Sequence, residues 1–172
     1  MTKIIGLTGG IGSGKTTIAR YIESKGIPVY IADIEAKKLM EDRKIINAIQ
    51  TAFGTDIVKN STINRTELSK IVFNNPEKLA VLNGIIHPAV KEHFIEWLKV
   101  HHSSPFVVKE TAILFETGGN KECYQTILVT APLEKRIERV MVRDKVSKEQ
   151  VLDRMKNQWT DDQRKEYSDF VI

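Results

Sequence analysis

The sequence predicts an α/β protein: a five-stranded parallel sheet with helices on both faces, carrying a helical insert and a helical hairpin. Three observations lead there. Short apolar runs alternate with helical periodicities along the chain. A glycine-rich stretch, Gly9 to Thr16, stands between the first apolar run and the first helical pattern. No repeat, low-complexity run or long Pro/Gly/Ser linker interrupts the order.

The first strand is expected at Lys3–Thr8. The first helix opens at Thr16 and runs to about Lys25, with Gly26 as its stop. Ile27–Ile31 reads as a second buried strand, its Pro28 tolerated near the start. Asp33 is placed to cap a helix from Ile34 to about Met40. From Arg43 to His102 the pattern is helical. Ile45, Ile46 and Ile49 share one face, and Leu68, Ile71 and Val72 another. Pro76 starts a helix bearing Leu79, Leu82 and Ile86, which His87-Pro88 is expected to end. Val90, Phe94, Trp97 and Leu98 form a further apolar stripe. Strands then follow at Pro105–Lys109 and Thr126–Thr130, with Glu110 just past the former. Pro132 opens a helix through Val142, and Ser147 with Gln150 forms a capping box for a helix to about Gln158. Asp161-Asp162 reads as a helix start and Asp169–Ile172 as the fifth strand. The expected division is a core of 1–33, 103–134 and 159–172, an insert of 34–102 and a hairpin of 135–158.

Composition narrows the class. With 172 residues and 41% hydrophobic content, the chain can bury one sizeable core. It has no apolar run long enough to span a membrane and no signal-peptide pattern after Met1. A single cysteine, Cys123, rules out an intrachain disulfide. A cytoplasmic protein is expected, and a monomer. The net charge of +4 fits either nucleic-acid binding or an enzyme of polyanionic substrates. The basic residues are concentrated at Lys135–Lys165 and interleaved with acids, not in a tail, which favours the enzyme and argues against a nucleic-acid partner.

Gly9 to Thr16 reads G-G-I-G-S-G-K-T, a complete phosphate-binding P-loop, G-x-x-x-x-G-K-[ST], between strand and helix. Its backbone N–H groups, from Gly10, Ile11, Gly12, Ser13 and Gly14 through Lys15, Thr16 and Thr17, are expected to wrap a nucleoside triphosphate. The dipole of the helix beginning near Gly14 adds to this. Lys15 places a charge on the β and γ phosphates, and the Thr16 hydroxyl ligates Mg²⁺. In a parallel sheet, ligands bind beyond the carboxyl ends of the strands. Asp33 and Glu110, just past strands two and three, should therefore face the same crevice. Asp33 is the candidate base for an acceptor hydroxyl, or else an N-cap. Asp33 or Glu110 is expected to join Thr16 on magnesium through water, Glu110 being otherwise a strand-end charge. Arg136, Arg139 and Arg143 share one helix face, and Arg154 and Gln158 sit four apart on the next. They suit a lid closing over triphosphate, or equally a solvated basic face. His93, His101 and His102 lie on or past a helix end, and no His/Cys cluster has zinc spacing.

Beyond the loop itself, several segments resemble the dephospho-coenzyme A kinase family. They are Thr8 to Thr16, Ile86-His87-Pro88, Ile113–Glu116, Val129–Pro132, Arg139–Asp144, the Arg154 and Gln158 pair, and Ser168–Ile172. They occur in family order along essentially the whole chain. The resemblance implies transfer of the γ-phosphate of ATP to the ribose 3′-hydroxyl of dephospho-CoA. It implies a substrate-binding helical region near 34–102, with His87 and Glu116 beside Asp33 and Glu110 as substrate contacts. It also implies a catalytic set of Asp33, Lys15 and Arg139, with Arg143 and Arg154 on triphosphate. Where the family has D-A-D, this chain has Ile31-Ala32-Asp33; Ala112 replaces a proline, and family members continue past residue 172 into a helix. A nucleoside monophosphate kinase, or a nucleic-acid-stimulated ATPase or binding module, stands as the alternative. No N-K-x-D guanine motif supports a GTPase.

Overall fold

A computed structural model describes residues 2–73 and 75–172. These form two compact units, one of Met1–Ile31 and His101–Ile172, the other of Ala32–Val100.

The first unit is built on a five-stranded sheet, in which every pairing is parallel. Its strands are β1 (Lys3–Thr8), β2 (Val29–Ile31), β5 (Phe106–Glu110), β6 (Gln125–Leu128) and β7 (Phe170–Val171), in the order β2-β5-β1-β6-β7. β1 is central, with Leu7 opposite Glu110 of β5 and Ile127 of β6. Its side chains alternate between the two faces. Leu7 meets Ala19 of α1 (Lys15–Glu23), together with Val108 and Val129. On the other face, a Cβ on Gly6 would lie 2.7 Å from Leu114 and 2.9 Å from the Cys123 sulfur, so the 111–124 connection packs directly on the strand. Burial pushes the Cys123 thiol up to about 11, which keeps it protonated and unreactive at neutral pH.

The unit ends in three helices and a short edge strand. α6 (Leu133–Asp144) and α7 (Lys148–Lys156) form a hairpin closed by Ile137, Val140 and Val151. Ser147 and Gln150 make the expected reciprocal capping box, and Thr160 with Gln163 makes a second one for α8 (Asp161–Tyr167). Arg164 of α8 is fully buried. It donates to the Trp159 and Ala112 carbonyls and to Glu116.

The second unit contains α2 (Ala32–Leu39), α3 (Arg43–Phe53), α4 (Arg65–Phe73) and α5 (Pro76–Val100). Ile46, Ile49, Leu68, Val72 and Ile86 join in one core with Ile57 and Ile63, as the helical stripes require.

Three local expectations are corrected. Between α3 and α4 lies not helix but a small antiparallel hairpin, β3 (Val58–Lys59) with β4 (Thr62–Ile63). Its turn residues Asn60 and Ser61 both have positive φ, the geometry of a two-residue hairpin turn. Pro88 does not end a helix; α5 runs through it for 25 residues. A proline there forfeits one backbone bond and crowds the carbonyl four residues back. That residue is Gly84, whose backbone yields easily, and packing against α2, α3 and α4 outweighs the loss. Asp33 lies within the first turn of α2 rather than capping it, because the helix already begins at Ala32.

Candidate active site

The loop after β1 folds over the start of α1. Gly12 has φ +79° and Gly14 φ +105°, left-handed values that a side chain resists. Thr17 and Ile18 both donate to the Gly14 carbonyl, which closes the first turn. Beside this turn opens a cleft of about 490 Å³ lined by Gly12, Gly14, Lys15, Thr16, Thr17, Arg20, Arg139 and Arg143. Four of those residues are cations and none is an acid, and the positive end of α1 points there too. The wall is therefore built for a polyanion. At its edge Lys15 Nζ stands 3.9 Å from Glu110 Oε1, both side chains nearly buried.

The loop is gripped from α6. Arg139 donates to the carbonyls of Gly12 and Ser13, each at 3.3 Å. Arg136 donates to the Ile11 carbonyl at 3.0 Å. The Ile11 amide donates to Gln158 Oε1, also at 3.0 Å, and the Ile11 side chain packs on the hairpin core. Substituting Gly12 by alanine is expected to fail on two counts. A Cβ there collides with the Arg136 backbone carbonyl. The left-handed backbone adds about 1–2 kcal/mol of strain. Calorimetric unfolding should show a lowered Tm, and titration with ATP a weakened site.

A family model for dephospho-CoA kinase matches residues 3–172. A dephospho-CoA kinase of Bacteroides fragilis is 38% identical over 98% of this chain and 82% of its own. The chain belongs to the dephospho-CoA kinase family. It is an enzyme that phosphorylates dephospho-CoA to coenzyme A at the expense of ATP. Two solved structures are similar. One, from Thermus thermophilus, has 35% identity and a TM-score of 0.88 over 99% of this chain and 87% of that one. The other, a dephospho-CoA kinase from Campylobacter jejuni, has 28% identity and a TM-score of 0.70 over 100% and 88%.

The kinase brings Gly12, Gly14, Lys15, Thr16, Thr17, Arg139 and Arg143 to one cleft. Gly10, Ile11 and Ser13 complete the loop but do not line it. Arg143 also binds Asp144 at 2.7 Å, and this hydrogen bond, followed by that of Arg154, holds the Asp144 carboxyl below its usual range. Arg154 is bound to Asp144 at 2.7 Å and is not among the cleft-lining residues. Glu110 is the last residue of β5 rather than the one after it, since Leu7 of β1 pairs with it. Glu116 Oε1 accepts from the Trp159 amide and from Arg164 at 2.7 Å, which ties it to the frame around α8.

Asp33 and His87 belong to the second unit, and both are exposed. Desolvation pushes the His87 imidazole below its ordinary pKa, so it is neutral near pH 7. Sequence reasoning missed Arg20, which follows Thr16 by one helical turn and was legible from that spacing. It also missed Arg164, and it grouped Arg136 with the lid arginines; nothing local marks either of them as buried.

Proposed function

We propose that the enzyme phosphorylates the ribose 3′-hydroxyl of dephospho-CoA with Asp33 as general base. The hydroxyl proton passes to the Asp33 carboxylate. Its oxygen bonds to the γ-phosphorus, and the bond from that phosphorus to the β–γ bridging oxygen breaks to release ADP. Lys15, Arg139 and Arg143 follow the charge that moves onto the phosphates. Such transfer needs positioning and charge stabilisation more than covalent help. The observation that carries the reading is the acid-free cleft at the start of α1, lined by Lys15, Thr16, Arg139 and Arg143. Asp33 is supported by its place in the chain, two residues beyond the carboxyl end of β2.

Magnesium fits this wall. Held mostly by phosphate oxygens and water, it needs one or two protein ligands. Thr16 on the cleft and Glu110 beside Lys15 would supply them, directly or through water. The ion, when bound, neutralises the β and γ oxygens. Among the described residues no cluster of three or more His, Cys, Asp or Glu is set to hold a metal alone. Residues 34–102, with His87, are proposed to bind dephospho-CoA. The α6–α7 hairpin is proposed to act as the lid, with Arg154 reaching triphosphate once released from Asp144. The enzyme is proposed to act as a monomer. ATP as donor supports a cytoplasmic setting, and the proposed partner is the small molecule rather than nucleic acid. Among the described residues no helix is long and apolar enough to cross a membrane.

The test is ADP release with dephospho-CoA against a panel of nucleoside monophosphates, RNA and DNA, with ³¹P NMR locating the new ester. Turnover is expected with dephospho-CoA, carrying phosphate on the 3′-oxygen. Faster turnover with a monophosphate, or phosphate on another hydroxyl, would overturn the reading.

A further inference from the structure

Arg136 was grouped by its helical spacing with Arg139 and Arg143, yet it is built differently. It is buried, and it does not line the cleft. Two of its three guanidinium nitrogens are committed inside the protein. Nε donates to the Ile11 carbonyl at 3.0 Å, and Nη1 donates to Asp161 Oδ2 at 2.8 Å. Asp161 is itself fixed by the Thr130 hydroxyl at 2.6 Å. The same guanidinium occupies the space a side chain would need at Gly10, and the Arg136 backbone fills the space beside Gly12. One arginine thus ties the tip of the phosphate loop to α6 and to the start of α8.

The consequence follows from peptide geometry. The peptide group is planar and trans, so its C=O and N–H point in opposite directions. The Ile11 carbonyl belongs to the peptide whose N–H is that of Gly12. Drawing that oxygen toward Arg136 turns the Gly12 N–H the other way, away from α6. Gln158 fixes the preceding peptide by accepting the Ile11 N–H, and the seat of the Ile11 side chain in the hairpin removes the remaining freedom. A phosphate nest works by presenting amides already aimed at one point. Its affinity depends on that order existing before the ligand arrives.

We infer that Arg136 is a positioning residue for ATP: it presets the Ile11–Gly12 peptide so that the Gly12 amide serves the phosphate site, without touching the nucleotide. The inference rests on the reading of the cleft as the ATP site. It separates Arg136 from Arg139 and Arg143, which do line the cleft.

Arg136→Met keeps length and apolar packing and removes the donors. The variant is expected to stay folded by circular dichroism and to raise KM for ATP about tenfold or more, the scale of one lost charge-assisted hydrogen bond. KM for dephospho-CoA should stay within about twofold of its original value, because uniform damage is not the expected mode. In protein labelled with ¹⁵N-glycine, the Gly12 amide resonance should move while that of the distant Gly26 does not. Arg136→Lys retains a donor that reaches either Ile11 or Asp161 but lacks the two-pronged geometry, so it should fall between wild type and the methionine variant. If Arg136→Met does not fold, Arg136→Lys carries the same tests. An unchanged KM for ATP in a folded variant, or an equal rise in both KM values, would overturn the inference. Lys15→Ala serves as the control for the site itself. If it too leaves ATP affinity intact, the reading of the cleft fails; if it abolishes binding while Arg136→Met does not, only the positioning role fails.

Discussion

Asp33→Asn lowers kcat by about 10²–10⁴-fold, the range for loss of a general base, and leaves ATP affinity in place. Asparagine matches aspartate in size and still accepts a hydrogen bond through its amide oxygen, but it does not take up a proton at neutral pH. The comparison therefore isolates proton transfer from shape. A structural contribution exists and is small. Asp33 sits in the first turn of α2, where a negative charge favours the helix by about 0.3–1 kcal/mol. The variant should accordingly melt close to wild type. Steady-state kinetics with dephospho-CoA, beside calorimetric titration with ATP, decides the matter. A kcat within tenfold of wild type would remove Asp33 from the base role and return it to helix stabilisation. A large loss of ATP affinity would instead mean that the change disturbs the donor site.

Lys15→Ala acts on the other substrate. The lysine is nearly buried at the helix start, on the cleft wall and 3.9 Å from Glu110. Removing it takes away the point charge proposed for the β and γ phosphates. It also leaves Glu110 at the cleft edge without that cation, so the local field turns against an anion. Both effects point the same way. The expected loss in kcat/KM for ATP is about 10²–10³-fold or more, the scale measured when one preorganised donor to a developing charge is deleted. The KM for dephospho-CoA should change far less. Adding Glu110→Gln to Lys15→Ala should recover part of the ATP affinity, since it removes the repulsion but not the missing charge. Titrations of both variants with ATP check this, and identical affinities in the two would dismiss any contribution of Glu110 to the field.

The loop was legible in the sequence because its chemistry is local. Glycines, Lys15 and Thr16 at fixed spacing dictate a turn and a helix start whatever surrounds them. The parallel sheet was legible for a related reason. Short apolar runs, Phe106-Val107-Val108 and Ile127-Leu128-Val129, each followed by a polar residue, mark strands of such a sheet. What escaped depends on tertiary partners. Pro88 lies inside α5 because packing of the second unit overrides a local penalty. The β3–β4 hairpin depends on two residues holding positive φ, which Lys59-Asn60-Ser61-Thr62 signals only weakly. Arg136 and Arg139 lie three apart on one helix and look alike in sequence. A difference of one helical turn puts one under the loop and the other on the cleft wall. Glu116 stands in a segment that resembles a substrate contact, while its Oε1 oxygen is committed to Arg164 and Trp159.

The strand order has a consequence for how the chain matures during synthesis. β1 is made first, yet its sheet neighbours are β5 and β6. β2, the next strand made, pairs with β5 and not with β1. No sheet hydrogen bond to either early strand is available until Phe106–Glu110 has been polymerised. The unit of Ala32–Val100, by contrast, is continuous in sequence and closes its core from its own residues. Contacts between distant segments carry the larger loop-closure cost and form late. The phosphate loop is thus written at the beginning of the message and acquires its supports from α6 and residue 158 near the end.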